Sequence, residues 1–586
     1  MKNKGYLCSN LQKHADVGSI EDVHLSEHPN PNFRRDSYKS LNGCWDICIS
    51  KDKNQPTSWT NKVNVPYAIE SPLSFVNHLL EPDEYIHYHK VLSISKDEMK
   101  PHIFLHFEGI DQIADVYINN KFVGQHIGGY TSFSFDIKPF VMEGNNDLYI
   151  RVKDVTDESY YMRGKQRLIP SGWFYSSSSG IYKPVWIEYV EDNYIKEAIF
   201  KPLYDKKSVE VLISTSMEGI VYLNIDGTIF NIKSNKKIEI KLNNFHPWNV
   251  VDDPYLYEVE IKFFNDIIHS YFGIRKIENK IINNQPCILL NDKRLFINGL
   301  LAQGYYDLGG LTPKSYDVFE KDIKNVKELG YNTLRIHIKT EIPYFYYLAD
   351  KYGLLLIQDF PCGGTKYKFF NVVFPRISIK LFNKEKYCTY KNYGREDKEG
   401  RDLFIDQSTQ IINSLFNHPS IIVYTIFNEA WGEFDPSKNY VYFKSLDISR
   451  LYDTASGWLD SNKSDFFSIH SYTLPARKRK TRNNRPYFLS EVGGTSWIVP
   501  NHFIYPKAYG HKTVKKQNQL EKRYKDLYKN LMTQIISGNL NGIIYTELND
   551  CETECNGIYT LDREVLKIDK DLIIGINKEI EAKRMK

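Results

Sequence analysis

No stretch of this 586-residue chain approaches about 18 uninterrupted apolar positions, so a membrane-spanning helix is excluded and no membrane partner is expected. Met1 to Val23 lacks both the apolar run of roughly 7–15 residues and the small-residue cleavage site of a secretory leader. Charge of one sign is scarce too. The 76 Lys and Arg against 72 Asp and Glu leave a formal +4, too little to hold nucleic acid through a global field. Cysteine is sparse: Cys8, Cys44, Cys48, Cys287, Cys362, Cys388, Cys551 and Cys555 contain two CxxxC spacings, with neither a paired CxxC nor an HxxxH beside them. No zinc site, and no metal or cofactor of any kind, is expected from that pattern. Reduced thiols and the absent leader point to a cytoplasmic protein.

What the chain has in excess is aromatic surface. Its 43 Tyr, 32 Phe and 8 Trp make up 14% of the residues, a supply suited to cores and to faces that receive ring-shaped ligands. From about Tyr38 to Val190 short alternating runs recur between turn signals, as in His102-Ile103-Phe104-Leu105-His106-Phe107 and Ala114-Asp115-Val116-Tyr117-Ile118. This spacing predicts a β-sandwich within residues 1–190. A second all-β stretch, 191–276, is of the size of an immunoglobulin-like sandwich. From Arg294 onward apolar runs alternate with amphipathic segments. Strands are expected at Leu295–Gly299, Thr333–Ile336, Leu354–Ile357, Ile421–Phe427, Phe466–Ile469, Tyr487–Leu489 and Gly542–Tyr545. Helices are expected at Ser315–Leu329, Tyr344–Lys351, Asp402–Phe416 and Gln519–Ile536. Repeated βα units over 277–586 predict a TIM barrel, in which chemistry sits at the C-terminal ends of the strands.

Two glutamates stand at such ends. Tyr424-Thr425-Ile426-Phe427 runs into Asn428-Glu429, and Tyr487-Phe488-Leu489-Ser490 runs into Glu491-Val492-Gly493-Gly494. A pair of carboxylates facing one barrel mouth is what glycoside hydrolysis requires: one proton donor, and one nucleophile or base. The bland reading, a helix cap or an Arg partner, fits one such Glu better than it fits both. His337, Asp359, His470, Tyr472 and Glu547 close other strands and are candidate substrate-binding groups; Arg335 is expected to orient neighbouring carboxylates through bidentate bonds.

In order along the chain, these motifs resemble the family 2 glycoside hydrolases, which include β-galactosidases, β-glucuronidases and β-mannosidases. Leu41-Asn42-Gly43-Cys44-Trp45, Val65-Pro66-Tyr67 and Ser179-Gly180-Ile181-Tyr182-Lys183-Pro184-Val185-Trp186 are similar to that family's sugar-binding jelly roll. Phe272-Gly273-Ile274-Arg275 is like its join to the barrel. Asn428-Glu429 matches its acid/base motif, and Ser490-Glu491 with the following glycines matches its nucleophile motif. The resemblance implies three domains and a retaining exo-β-glycosidase acting on a small or oligosaccharide glycoside. It makes Glu429 the acid/base with a raised pKa, Glu491 the nucleophile, and Asn428 the contact to the sugar 2-hydroxyl. β-Galactoside is the single best substrate expectation. β-Glucuronidase, β-mannosidase and a non-catalytic carbohydrate-binding protein are the alternatives, and a homo-oligomer is possible by the same resemblance. The Asn-x-Lys that holds a uronate in β-glucuronidases is absent from the late barrel loops. The basic run Arg477-Lys478-Arg479-Lys480-Thr481-Arg482 is expected to be a solvated connection, with contact to an acidic sugar as the sharper reading.

Overall fold

The computed structural model describes residues 17–584 except 60, 251–252, 366–389, 462 and 473–482, so the basic run lies outside the described residues. The N-terminal sandwich packs a four-stranded antiparallel sheet against one of six strands. In the strand His102–Phe107 burial alternates strictly, Ile103, Leu105 and Phe107 facing the core. That core, with Trp45, Val63, Tyr88, Val116 and Ile150, is closed on itself. The second sandwich sets Ile195–Leu203, Ser208–Thr215 and Ile238–Lys241 against a four-stranded sheet ending in Asp266–Phe272. At the join, the buried Arg275 guanidinium donates to the carbonyls of Pro419 (3.1 Å) and Ile421 (2.8 Å), fastening this sandwich to the barrel.

The barrel strands are β1 (Ile297–Ala302), β2 (Thr333–Ile336), β3 (Leu355–Asp359), β4 (Ile421–Asn428), β5 (Leu451–Ser456), β6 (Phe467–Ser471), β7 (Tyr487–Gly493) and β8 (Leu540–Thr546). They form one parallel sheet in the order β5-β4-β3-β2-β1-β8-β7-β6. The remaining seam is bridged by side chains: Ser468 donates to Asp453 at 2.8 Å, and Ser456 meets His470 at 3.0 Å. Helices α1 (Tyr316–Glu328), α2 (Pro343–Tyr352), α3 (Lys398–Ser414), α4 (Pro436–Leu446), α5 (Gln517–Ile536) and α6 (Lys570–Arg584) surround the sheet. Tyr316, Phe319, Ile323 and Val326 make the apolar stripe of α1, and they pack with outward-facing Leu300, Leu334, Ile336 and Leu356.

Inside, the barrel changes character along its axis. Ile297, Leu301, Leu355, Ile357, Phe488 and Ile544 form an apolar lower core with Ile277, Ile288 and Leu290 of the three-stranded sheet that leads into the barrel. Arg335, Asp359, Asn428, His470 and Glu491, all buried, occupy the upper end. The fold matches the expected sandwich, sandwich and barrel. The unexpected strand is β5, whose Asp453 and Ser456 replace the apolar run by which its neighbours were recognised. No described helix is long and apolar enough to cross a membrane.

Candidate active site

Strand ends bring the expected residues to one mouth. Arg335 and His337 come from β2 and just beyond it, Asp359 from β3, Asn428 and Glu429 from the end of β4, His470 and Tyr472 from β6, and Glu491 from β7. β7 continues past the expected Leu489 to Gly493, with its register against β8 shifted between Leu489 and Val492. Glu491 sits in that irregularity, opposite His470 of β6; a local bulge is a usual way to re-aim a functional side chain. Glu429 stands in the left-handed region at φ 52°, with Ala430 after it at φ 66°. Its N–H donates to the Ser456 carbonyl at 2.8 Å and Trp431 N–H returns to Asn428 at 2.9 Å, which pays for the tight exit from β4.

The Glu491 side is built around one guanidinium. Arg335 Nε spans both oxygens of Asp359 (2.9 and 3.1 Å), Nη1 donates to the Ser490 carbonyl (2.9 Å) and to Glu491 Oε1 (3.2 Å), and Nη2 donates to Asn428 Oδ1 (2.8 Å). The last bond fixes the Asn428 amide with its oxygen on Arg335, leaving Nδ2 as the donor for a ligand. His337 Nδ1 bonds Asp359 Oδ2 at 2.9 Å and stands 4.0 Å from Glu491 Oε1. Asp359, expected to bind substrate, accepts from Arg335 with both oxygens and meets His337 through Oδ2, and so braces the Glu491 side. Burial pushes the Glu491 carboxyl up, but the positive field of His470, His337, Arg335 and Lys165 outweighs burial and holds it well below the usual carboxylate range. Arg335 and Lys165 are the cations among them whose pKa values are raised.

The Glu429 side is built around an imidazole. His470 Nδ1 meets Glu429 Oε1 at 2.8 Å, and its Nε2 meets Ser456 Oγ at 3.0 Å; Ser456 in turn donates to Ser490 Oγ at 2.8 Å. Ser456 thus accepts from Nε2–H, and Nδ1 is turned to Glu429. Gly457 permits this ring position: at φ 107° it has no Cβ, which would otherwise stand 2.9 Å from His470 Nδ1. Burial and the neighbouring Glu491 push Glu429 upward, while the bond to His470 and the charge of that ring pull harder in the other direction. The net direction in this state is downward, against the raised value expected from the Glu491 charge alone. The 2.8 Å contact between His470 Nδ1 and Glu429 Oε1 is within proton-transfer reach.

Tyr472 joins the two sides. Its hydroxyl is 2.6 Å from Glu491 Oε2 and 2.9 Å from Glu429 Oε1, and His511 stacks on its ring at 3.7 Å. One oxygen of Glu429, one oxygen of Glu491 and a nitrogen of His470 all lie within 4.8 Å of one another. That trio has the atoms to ligate a metal, as does the more exposed His502, Asp562 and Glu564. In the first, Tyr472 and Arg335 complete a hydrogen-bonded arrangement fit for proton transfer without one.

Glu547 follows β8 and is wholly buried, with Gln303 beside its carboxylate. Sequence reasoning missed Ser456, His511, Asn556 and Gln303 near the mouth, and it missed Lys165. This lysine arrives from the N-terminal sandwich and is buried where its charge acts on Glu429, Glu491, Glu547 and Glu554.

Known proteins share this organisation. The family model described as glycosyl hydrolases family 2, sugar binding domain, matches residues 49–188, and that described as glycosyl hydrolases family 2, TIM barrel domain, matches 281–537. A protein named beta-galactosidase from Thermoanaerobacter pseudethanolicus is 28% identical over 464 residues, which cover 74% of this chain and 57% of that protein. A protein named beta-glucuronidase from Bacteroides fragilis is 24% identical over 436 residues, covering 68% and 57% respectively. The chain thus spans little more than half the length of these curated relatives. Among solved structures, a beta-glucuronidase from an uncultured Clostridium shares the fold with a TM-score of 0.72 at 17% identity, over 94% of this chain and 99% of that one.

Proposed function

The chain belongs to the glycosyl hydrolases family 2, and from that premise we propose that it is a retaining exo-β-glycosidase with Glu491 as nucleophile and Glu429 as acid/base. The observation that carries this reading is the closeness of the two carboxylates, with oxygens within 4.8 Å. Retaining enzymes hold their pair about 5–5.5 Å apart, whereas inverting ones need roughly 6.5–9.5 Å to admit a water.

In the first step a Glu491 oxygen forms a bond to the anomeric carbon as the glycosidic C–O bond breaks. Glu429 gives the departing oxygen a proton. Esterification then removes the Glu491 charge. In the second step Glu429 takes a proton from water, the water oxygen bonds to the anomeric carbon, and Glu491 leaves as carboxylate. Asn428 Nδ2 is aimed to donate to the 2-hydroxyl, and Tyr472 steadies both carboxylates.

β-Galactoside is the first choice of sugar, and a protein of that printed activity is among the relatives. A β-hexuronide is the second, favoured by the buried Lys165 ammonium in the mouth. The test is a panel of p-nitrophenyl β-galactoside, β-glucuronide, β-galacturonide, β-mannoside and β-glucoside, run with wild type and Glu491→Gln. Turnover of one β-glycoside, abolished by the substitution, is the expected result. Saccharide binding with no turnover across the panel would instead favour a carbohydrate-binding protein on a barrel that keeps its carboxylates.

A further inference from the structure

The four-stranded sheet of the N-terminal sandwich has two unlike faces. Ile103, Leu105 and Phe107 point into the sandwich core. Side chains alternate across a strand, so the opposite face carries Phe104 and His106 of His102–Phe107, Trp186 and Glu188 of Val185–Val190, and Ser134 of Phe133–Asp136. Register sets Trp186 beside His106 and Glu188 beside Phe104, and the His106 ring stacks on Trp186 at 3.8 Å. The outward face of a sandwich sheet ordinarily holds solvated polar residues; this one is largely aromatic and lines a cavity of about 430 Å³. Tyr194 at the start of the second sandwich, Thr340 and Glu341 after β2, and Tyr346 of α2 line the same space, so all three domains contribute to it. Neither Glu429 nor Glu491 does, which makes the cavity distinct from the barrel mouth. Its volume lies within the roughly 300–1,000 Å³ of small-molecule sites.

Two buried carboxylates line this space, each with one oxygen to spare. Glu108, just past the strand His102–Phe107, accepts from Trp186 Nε1 through Oε1 at 3.0 Å. Glu188 Oε1 accepts from Arg35 Nη1 at 2.7 Å and meets His106 Nε2 at 3.2 Å. Among the described residues nothing donates to Glu108 Oε2 or to Glu188 Oε2, although the two residues are only 6% and 4% exposed. A buried acceptor without a donor carries an uncompensated desolvation cost, which a ligand that donates there would remove.

The charges of the wall are already matched. Arg35 pairs with Glu188 and with Asp266, and it donates as well to the Ile195 carbonyl. Glu108 lies in the field of Lys183. Lys183 Nζ donates to Thr340 Oγ1 at 2.9 Å and to the Glu341 carbonyl at 3.3 Å, which leaves one N–H for a ligand. A cationic ligand would meet Arg35 and Lys183, and an anionic one would meet Glu108 and Glu188. What the wall lacks is uncharged donors for two carboxylate oxygens and an acceptor for one ammonium, beside aromatic rings. A pyranose has that combination: its hydroxyls donate and accept around the rim, and its C–H face suits an aromatic surface.

We propose that this three-domain cavity is a second, non-catalytic saccharide site, which holds one neutral pyranose with its hydroxyls on Glu108, Glu188 and Lys183 and its C–H face on the aromatic side of the sheet. The proposal is independent of the roles assigned to Glu429 and Glu491 and would survive their failure.

The test uses the full chain carrying Glu491→Gln, to prevent turnover, and titrates it with methyl β-D-glucoside, β-D-galactoside and β-D-mannoside, with glucuronate and glucosamine as charged counterparts. Amide hydrogen exchange locates the binding. At least one neutral glycoside is expected to slow exchange in 130–136 and 191–196, segments that line the cavity and lie away from the mouth. Glu108→Gln keeps an acceptor for Trp186 but removes the charged oxygen, and it should raise the Kd read at those segments about 10- to 100-fold. Ser134→Trp, at an exposed position on the edge strand, should obstruct the cavity, abolish that protection and leave any protection at the mouth as it was. Protection at the mouth alone, or none with any neutral glycoside, overturns the proposal. So does cavity protection that persists at the same Kd in both variants, or that is stronger with glucuronate or glucosamine than with every neutral sugar.

Discussion

Glu491 and Glu429 are both glutamates at the ends of parallel strands, both enclosed, and both bonded to the same tyrosine hydroxyl. What holds them differs. Glu491 is tied to Arg335, a charge that does not titrate in the working range, and Arg335 is braced by Asp359. Glu429 is tied to the His470 imidazole, and its backbone turns through a left-handed conformation. In the mechanism proposed above, Glu491 has to remain ionised, whereas Glu429 has to change state in each step. A guanidinium suits the first need, and an imidazole, which can either donate or accept a proton, suits the second.

Removing each carboxylate should separate the two roles. Glu491→Gln is expected to lower kcat on the order of 10⁴-fold or more with every leaving group, measured by steady-state release of nitrophenol. Glu429→Gln should cost roughly 10²- to 10⁴-fold on substrates whose leaving group needs a proton. It should cost far less on a 2,4-dinitrophenyl glycoside, whose leaving group needs none, and azide should restore turnover by replacing water in the second step. Azide rescue of Glu491→Gln with the same product would reverse the assignment.

The cations can be exchanged next. Arg335→Met removes one of the charges, beside those of His470, His337 and Lys165, that lower the Glu491 pKa. The nucleophile is ionised above its pKa, so the acidic limb of kcat/KM should move to higher pH. The same change strands Asp359 and Glu491 in the core, and about 3–5 kcal/mol of stability should be lost in a denaturant titration. Stability from these two lowered carboxyls is present above the unfolded value of about 4 and disappears as pH falls through their folded values, so the wild-type advantage over the variant should shrink in acid. The smallest effect belongs to Ser456→Ala, which frees the far side of His470. A loss of about 2- to 10-fold in kcat/KM, with the acidic limb unmoved, would confine that serine to the Glu429 side.

The two sides were also unequally legible in the sequence. β4 and β7 could be read because an apolar run ends abruptly in Asn428-Glu429 and in Ser490-Glu491. β5 could not, since Asp453 and Ser456 face hydrogen-bond partners on β6 where an apolar strand would face a core. Arg335 was expected to orient carboxylates and does so, but no pattern within β3 tells that Asp359 meets Arg335 and His337 of the neighbouring strand and its exit. The sign of the Glu429 shift depended on His470, 41 residues away along the chain. Lys165 left one usable signal: residues 154–179 break the regular strand spacing of the sandwich with a long segment lacking strand structure of its own, and such segments often carry function.

The central claim is that Glu491 becomes covalently bonded to the sugar while Glu429 does not. The most direct measurement incubates the protein with 2-deoxy-2-fluoro-β-galactosyl fluoride and, separately, with the corresponding glucuronyl fluoride, then maps the labelled peptide by mass spectrometry. The account requires one fluorosugar per chain, on Glu491, with none on Glu491→Gln. Label on Glu429, or turnover of a β-glycoside that releases the α-anomer first with no labelling at all, would contradict it.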